Sequence, residues 1–187
     1  MTLEYVLKQH GLTPGVDVEV YDHIQFNLMA GAFEGGLGDY TTLFEPTASL
    51  FQKEGKGYIV SSIGLSSGEV PYTTFMVSQE RIKNEPEFVE AFVRAIYRAQ
   101  KWVQTASNSE IAKAMLPFFP DADEATLELV AQSYRESDAW MTDPVMTEDS
   151  FKRLQDIIES SGELKARLEL TDVVDNSFAI KVMKDIG

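Results

Sequence analysis

The hydrophobic residues of the chain follow two different periodicities. Before about residue 78, apolar residues alternate with polar ones or form short apolar runs, as Val16, Val18 and Val20 do. This alternation is typical of β-strands. After residue 84, apolar residues recur three or four positions apart, as in Phe88 and Phe92. That spacing places them on one face of a helix. The pattern therefore predicts a mixed first part and a mostly helical second part.

Four segments of the first part are predicted strands, and helices are predicted between them. The strands are residues 16–20, 39–44, 57–63 and 70–77. Thr2 is a predicted N-cap for the first helix, and a later helix begins at Pro46 and ends near Glu54. Residues 64–68 are predicted to form a small polar loop. Alternating strands and helices predict an α/β fold, with a parallel or mixed sheet and helices on both of its faces.

The second part is predicted to consist mainly of amphipathic helices. Asn84 and Glu87 have the spacing of a capping box at the start of a long helix. Asp121 and Glu124 suggest the same arrangement for a later helix, and Thr147 is a predicted N-cap. Two further helices are expected over residues 108–116 and 175–184.

The stretch from residue 24 to residue 49 contains the most informative succession of signals. Gly35, Gly36 and Gly38 end a predicted helix, because glycine adopts positive φ without steric cost. Residues 39–44 form a predicted strand, and Glu45 and Pro46 open the next helix. In open α/β sheets, ligands bind where the carboxyl end of a strand leads into a helix. We therefore predict a ligand site in this stretch.

Candidate ligand-binding residues lie at the predicted strand ends and near the start of the last predicted strand. They combine hydrogen-bonding groups with aromatic rings, as small-molecule sites do. These candidates are Gln25, Asn27, Thr41, Thr42, Phe44, Glu45 and Tyr72. An alternative interpretation is that Thr41 and Thr42 are ordinary strand residues and that Glu45 only caps a helix.

Composition restricts the classes of function. The chain of 187 residues has 16 Lys and Arg against 30 Asp and Glu, so its net charge is −14. This charge argues against binding to nucleic acids and to anionic membrane surfaces. Cysteine is absent from the sequence, which excludes disulfides and cysteine-containing metal sites within it. No apolar run is long enough to span a bilayer, and the first residues do not resemble a signal peptide.

The sequence offers little for catalysis or metal binding. His10 and His23 are its two histidines, and nucleophile motifs, phosphate loops and zinc motifs are not found. Asp121 and Asp123 are spaced like calcium ligands, but the glycine and the closing glutamate of such a loop are missing. Capping explains these two aspartates better. We therefore expect no catalysis, no metal and no cofactor.

The charge of the predicted site favours one class of ligand. No Lys or Arg occurs between Lys8 and Lys53, a span that includes most of the candidates. A sulfonate or nitrate would depend on backbone N–H groups, and Glu45 would repel it. A carboxylate suits ring N–H, amino or cationic groups, such as those of an aminopyrimidine or a thiamine-like compound.

Several segments, taken in order, carry a resemblance to a known family. They are MAGAFEGGLGDYTTLFEPTAS, EGKGYIVSSIG, SGEVPYTTFMVS, NEPEFVEAFVRAIYRAQKWVQ and DPVMTEDSFKRLQDIIESSGEL. Together they resemble the substrate-binding proteins of ABC importers, in the SsuA/THI5/NMT1-like group that serves nitrate, sulfonate, taurine and thiamine precursors. The resemblance covers nearly the whole chain, although no single segment is diagnostic.

The resemblance implies a periplasmic-binding-protein-like fold of type II, with two lobes that close around a small ligand. Residues 1–78 would form most of the second lobe, and residues 79–187 would return to the first lobe. The chain would then be the C-terminal part of a longer protein, lacking the N-terminal sheet of the first lobe. We would expect self-association through the surface that this sheet would cover.

The resemblance also implies a cellular context. The partners would be a small-molecule ligand and an ABC permease in the membrane, and the full-length protein would be extracytoplasmic, either periplasmic or anchored as a lipoprotein. Some relatives make a pyrimidine precursor of thiamine, so an enzyme of that kind is an alternative. A sensing or interaction domain that kept the fold without transport is another.

Overall fold

The structure, a computed structural model, describes residues 1–186, and within them the regular structure is helical. The α-helices are α1 (Thr2–Gln9), α2 (Met29–Glu34), α3 (Thr47–Lys53), α4 (Ile63–Ser67), α5 (Gln79–Asn84), α6 (Pro86–Thr105), α7 (Asn108–Met115), α8 (Glu124–Glu136), α9 (Glu148–Ser160), α10 (Leu170–Val173) and α11 (Ser177–Ile186). Short 3-10 helices cover Phe26–Leu28 and Leu116–Phe118. The prediction of a largely helical second half is confirmed.

The four predicted strands are wrong for the part of the chain that the structure describes. Residues 16–20, 39–44, 57–63 and 70–77 form no strand there, and a lone bridge between Pro14 and Val18 is the β-pairing found. A strand exists only when a second segment completes its hydrogen-bond ladder. Alternating side chains indicate a preference for extended backbone, but they do not supply that partner. The two-lobed α/β arrangement therefore stays a prediction.

Three local predictions are also corrected. The predicted loop at residues 64–68 lies mostly in α4. Asn84 and Glu87 form no capping box: Ser78 caps α5 by accepting from the Arg81 N–H, and α6 begins at Pro86. The helix predicted from Asp121 is instead capped by Asp123, whose carboxylate accepts from the Thr126 N–H at 2.8 Å. For this last helix, a neighbouring residue of the same chemistry supplies the cap.

Other predicted helix boundaries are confirmed by their hydrogen bonds. Thr147 caps α9 by accepting from the Ser150 N–H at 3.2 Å. The helix predicted over residues 108–116 is α7 with the turn that follows it. Its N-terminus has a capping box in which Ser107 and Glu110 exchange hydrogen bonds. The last helix begins at Ser177 and continues to Ile186, two residues later at each end than predicted.

The chain divides into two compact units. Unit 1 contains Met1–Val6, Ile63–Ala106 and the segment that starts at Asp138, and unit 2 contains Leu7–Ser62 and Ser107–Ser137. In unit 2, α7 packs against α8, and the buried residues Ala112, Ala122 and Leu127 form the core between them. The side chain of Leu127 is fully buried.

In unit 2, α3 is joined to α8 by polar contacts. Lys53 donates to the Asp123 carboxylate at 3.1 Å and to the Thr126 hydroxyl at 3.0 Å. Hydrogen bonds from Thr126, followed by that from Lys53, lower the pKa of Asp123 to about 2. One carboxylate therefore both caps α8 and holds α3 against it.

In unit 1, α6 packs against α11 and buries Val89, Ala179 and Val182. At the margin of this contact, Glu90 of α6 binds Lys181 of α11. Hydrogen bonds from Lys181, followed by those from Arg94, lower the pKa of Glu90.

Two amide side chains hold the loops of unit 1. Each forms a pair of hydrogen bonds with the backbone N–H and carbonyl of one residue. Gln155 bonds both the N–H and the carbonyl of Leu168, at 2.7 and 3.1 Å. Asn176 bonds both backbone groups of Met146, at 3.1 and 2.9 Å.

Candidate functional site

A cavity of about 200 Å³ opens in unit 2, within the stretch from residue 24 to residue 49 that is predicted to bind a ligand. One wall comes from the 3-10 helix Phe26–Leu28 and the start of α2. The other wall comes from the extended segment that leads into α3. The described residues that line it are Phe26, Asn27, Ala30, Thr42, Leu43, Phe44, Glu45 and Thr47.

Two aromatic rings give the cavity an apolar surface. Phe26 and Phe44 contact each other with ring centroids 5.4 Å apart and planes tilted by 48°. Their side chains remain 67% and 48% exposed. Exposed ring faces of this kind offer a planar ligand a stacking surface, because aromatic pairs prefer offset or tilted contacts at about this distance.

Glu45 brings a negative charge to the cavity, and its position is fixed by Ser49. The Ser49 backbone N–H donates to Glu45 Oε2 at 3.0 Å, and the Ser49 hydroxyl donates to Oε1 at 2.9 Å. Ser49 lies one turn further along, in α3, and is only 7% exposed. Each carboxylate oxygen can accept about two hydrogen bonds, so each retains capacity for a ligand donor.

The two lysines that follow the cavity residues in the chain, Lys53 and Lys56, bind acidic side chains outside the cavity lining. Among the described residues that line the cavity, Glu45 is the one charged side chain. Lys53 binds Asp123 and Thr126. Lys56 binds Glu34 at 3.0 Å and Glu54 at 2.9 Å. The cavity is therefore suited to a ligand that donates hydrogen bonds or carries positive charge.

Contacts behind the cavity hold its two walls together. Phe33 of α2 packs against Gly57, where an added Cβ would lie 3.3 Å from the Phe33 ring. The ion pair between Lys56 and Glu34 joins the end of α2 to the turn after α3. The Gln52 side chain accepts from the Ile59 N–H at 2.9 Å. The spacing of α2 and α3 is thus set by several contacts.

The structure brings together four of the seven predicted site residues. Asn27, Thr42, Phe44 and Glu45 line the cavity. Gln25 and Thr41 belong to the same stretch but are not among the described residues that line it. Whether any of these residues binds a ligand stays a prediction.

Tyr72, the seventh candidate, lies in unit 1, and its side chain is 76% exposed. The start of its segment is held by Arg153 of α9, which donates to the Glu69 carbonyl at 2.7 Å. Arg153 also packs on Gly68, where φ is +78° and an added Cβ would lie 3.1 Å from Arg153 Nε. Further along, Phe75 contacts Phe92 of α6 with centroids 4.9 Å apart.

Sequence reasoning missed Ser49 and assigned Phe26 only to a helix face. Glu45 and Ser49 are four residues apart, and in a helix this spacing brings two side chains together. The sequence therefore contained a signal for their contact. The position of Phe26 beside Phe44 depends on how the turn after α2 folds back, and local spacing does not reveal that.

Neither a metal-binding cluster nor a membrane-spanning helix is found among the residues that the structure describes. No group of three or more His, Cys, Asp or Glu side chains there could hold a metal ion. None of the helices in residues 1–186 combines the length and the hydropathy that a membrane span requires.

Most of the chain is similar in sequence to known proteins, one of which is named as a binding protein. The NMT1-like family matches residues 1–116. The Bacillus subtilis (strain 168) protein named "Putative binding protein YtlA" is 40% identical over 185 residues, which are 99% of this chain and 55% of that protein. The chain therefore spans about half the length of this curated relative. No solved structure matches the chain.

Proposed function

The chain belongs to the NMT1-like family, and from this membership we propose that it is part of the solute-binding component of an ABC importer. The family implies a periplasmic-binding-protein-like fold. The name of its Bacillus relative, a binding protein, supports the same role. Its partners would be a small-molecule ligand and a membrane permease, and the full-length protein would act outside the cytoplasm. Residues 1–78 and 79–187 would contribute to different lobes, and ligand contacts to both lobes would favour the closed state.

We infer that the ligand is a small nitrogenous ring, such as an aminopyrimidine or part of a thiamine-like compound. The observation that carries this inference is the composition of the unit 2 cavity: two aromatic rings beside a single carboxylate. Rings provide stacking, and the carboxylate accepts N–H donors. The volume of about 200 Å³ is below the roughly 300–1,000 Å³ of sites for drug-sized ligands. It therefore suits one ring better than two.

The anionic ligands of the same group are less compatible with this cavity. A sulfonate, taurine or nitrate needs cationic or N–H donors, and the described lining contains Glu45 as its one charged side chain. A pyrimidine-forming enzyme would need a reactive group, and the sequence has no cysteine. We therefore propose binding without turnover. Purified protein incubated with pyridoxal phosphate or a pyrimidine should leave either compound unchanged.

Calorimetric titration of the purified chain with a panel of ligands tests this function. The panel consists of 4-amino-2-methylpyrimidine, thiamine, taurine and nitrate. We expect the aminopyrimidine to bind. Nitrate, an anion, and taurine, whose sulfonate has no cationic partner among the described lining residues, should not bind. Tighter binding of taurine or nitrate would overturn the proposed ligand class, and failure of all four would count against the cavity as a solute site.

A pair of matched variants locates the site. Phe26→Ala removes one ring of the cavity, and Phe118→Ala removes a ring of similar exposure, 79% against 67%, that does not line it. Both residues lie in 3-10 helices of unit 2. Loss of one aromatic contact of about 0.5–1.5 kcal/mol should weaken aminopyrimidine binding about 2- to 12-fold for Phe26→Ala. Equal effects of the two variants would place the site elsewhere.

A further inference from the structure

The contact between Ser49 and Glu45 extends the proposed function to a residue outside the cavity lining. Ser49 uses two donors on the two oxygens of one carboxylate, at 3.0 and 2.9 Å. It is 7% exposed and is not among the described residues that line the cavity. Its hydroxyl is therefore directed at Glu45 while the residue itself remains shielded from solvent.

We propose that Ser49 is a positioning residue that fixes the Glu45 carboxylate towards the ligand and so contributes to the preference for N–H donors. This inference rests on the proposed function. A glutamate side chain has several rotatable bonds, and ordering it costs free energy when the ligand arrives. Because Ser49 already donates to both oxygens, the Glu45 side chain is ordered when unit 2 folds, before the ligand binds. The ligand then meets a preorganised acceptor.

The same contact constrains how a ligand reaches the carboxylate. Ser49 approaches both oxygens and occupies one acceptor position on each. A ligand must therefore use the remaining position on either oxygen. A ring with a single amino group meets this requirement. Nitrate offers only acceptor oxygens towards Glu45, so fixing the carboxylate in place increases its repulsion.

The experiment measures calorimetric affinity for 4-amino-2-methylpyrimidine in wild type and in Ser49→Ala. Removal of the hydroxyl should weaken binding by up to about 10-fold, because the ligand must then order the Glu45 side chain itself. Ser49→Thr keeps the hydroxyl and should restore most of that affinity. 2-Methylpyrimidine lacks the amino group that Glu45 would bind. The Ser49→Ala substitution should therefore weaken its binding less than that of the aminopyrimidine.

A double-mutant cycle separates positioning from a purely structural role. In a Glu45→Gln background, Ser49→Ala should have a smaller effect on affinity than in wild type, because the hydroxyl then no longer positions a carboxylate. The matched control is Ser150→Ala, which removes a 3% exposed serine that bonds the helix-start residue Thr147 in unit 1. This control should not change affinity.

The outcomes distinguish the two proposals. If wild type binds and Ser49→Ala binds equally well, the positioning role is overturned while the binding function stands. If the effects of Ser49→Ala and Glu45→Gln simply add, the positioning role is also overturned. If wild type binds none of the panel, both proposals fail. Thermal melting of every variant confirms that the compared proteins are folded.

Discussion

Asp123 performs two roles through a single carboxylate, and only its binding of Lys53 requires the negative charge. It caps α8 through the Thr126 N–H and binds Lys53 of α3. These hydrogen bonds hold its pKa at about 2, below the ordinary value of 3.8. A lowered native pKa means that the ionised form stabilises the fold above about pH 4, and that this contribution is lost as pH falls towards 2.

Asp123→Asn should therefore reduce the stability of unit 2 in a pH-dependent way. Asparagine keeps the cap, because its side-chain oxygen also accepts from the helix N–H, but it removes the charge that binds Lys53. Urea denaturation from pH 6 to pH 2 measures the free energy of unfolding of both proteins. The difference between them should be constant above about pH 4 and should shrink towards pH 2. A difference that does not vary with pH would contradict the assignment.

At the same scale, the sequence allowed some site residues to be predicted and concealed others. Glu45 could be predicted because a carboxylate before a helix is a local signal. Its engagement by Ser49 was not anticipated, although the spacing of four residues permits it. Tyr72 was grouped with Glu45 because of the resemblance, and the structure places the two residues in different units. Positions that depend on packing across the chain are not readable from local pattern.

At the scale of elements, α8 is anchored by its buried face, of which Leu127 is the largest side chain. Leu127 is 0% exposed in the core between α7 and α8, whereas Leu129 on the same helix is 46% exposed. Leu127→Ala should destabilise unit 2 by about 2–5 kcal/mol, because it removes buried apolar surface and leaves a cavity.

Leu129→Ala is the matched control for this prediction. It makes the same chemical change on the same helix, and it should shift stability by only about 0.5 kcal/mol or less. Chemical denaturation followed by far-ultraviolet circular dichroism compares the two variants. Similar losses for both would contradict the assignment of the core.

The contrast between helices and strands has a physical cause. The start of α9 was predicted from Thr147 because a cap and its helix lie within a few residues of each other. Residues 70–77 were predicted as a strand from β-forming side chains. In the structure this segment contacts α6 through Phe75 and Phe92. Within residues 1–186, however, it pairs with no other segment in a β-ladder. Helical hydrogen bonds are local, whereas a ladder needs a distant partner.

At the scale of the whole molecule, many large apolar side chains remain exposed in both units. Tyr58 is 86% exposed in unit 2, and Phe75 and Met76 are 73% and 94% exposed in unit 1. Of the helix faces that the sequence predicted to be apolar, Phe88 and Trp102 are 51% and 43% exposed, whereas Ile157 is buried. Exposed apolar surface of this kind favours association.

We therefore expect the purified chain to self-associate. Light scattering coupled to size exclusion should give a mass above the 20.9 kDa of one chain, with the excess decreasing on dilution. Replacing Phe75 and Met76 by serine should reduce association, because both side chains belong to the exposed set. A single species of 20.9 kDa at all concentrations would contradict this expectation.

The affinity of Glu45→Gln for 4-amino-2-methylpyrimidine decides whether the unit 2 cavity is the ligand site. Loss of a hydrogen bond to a charged group costs about 1.5–3 kcal/mol, so calorimetry should show binding about 10- to 150-fold weaker than in wild type. Glu54→Gln is the control, because it removes the same charge from a residue of unit 2 that binds Lys56 after α3 and does not line the cavity. It should bind like wild type. Glu45→Gln should also melt slightly earlier, since one bond from Ser49 is lost. Lowered melting with unchanged affinity would show that Glu45 serves only the helix and would contradict the proposed site.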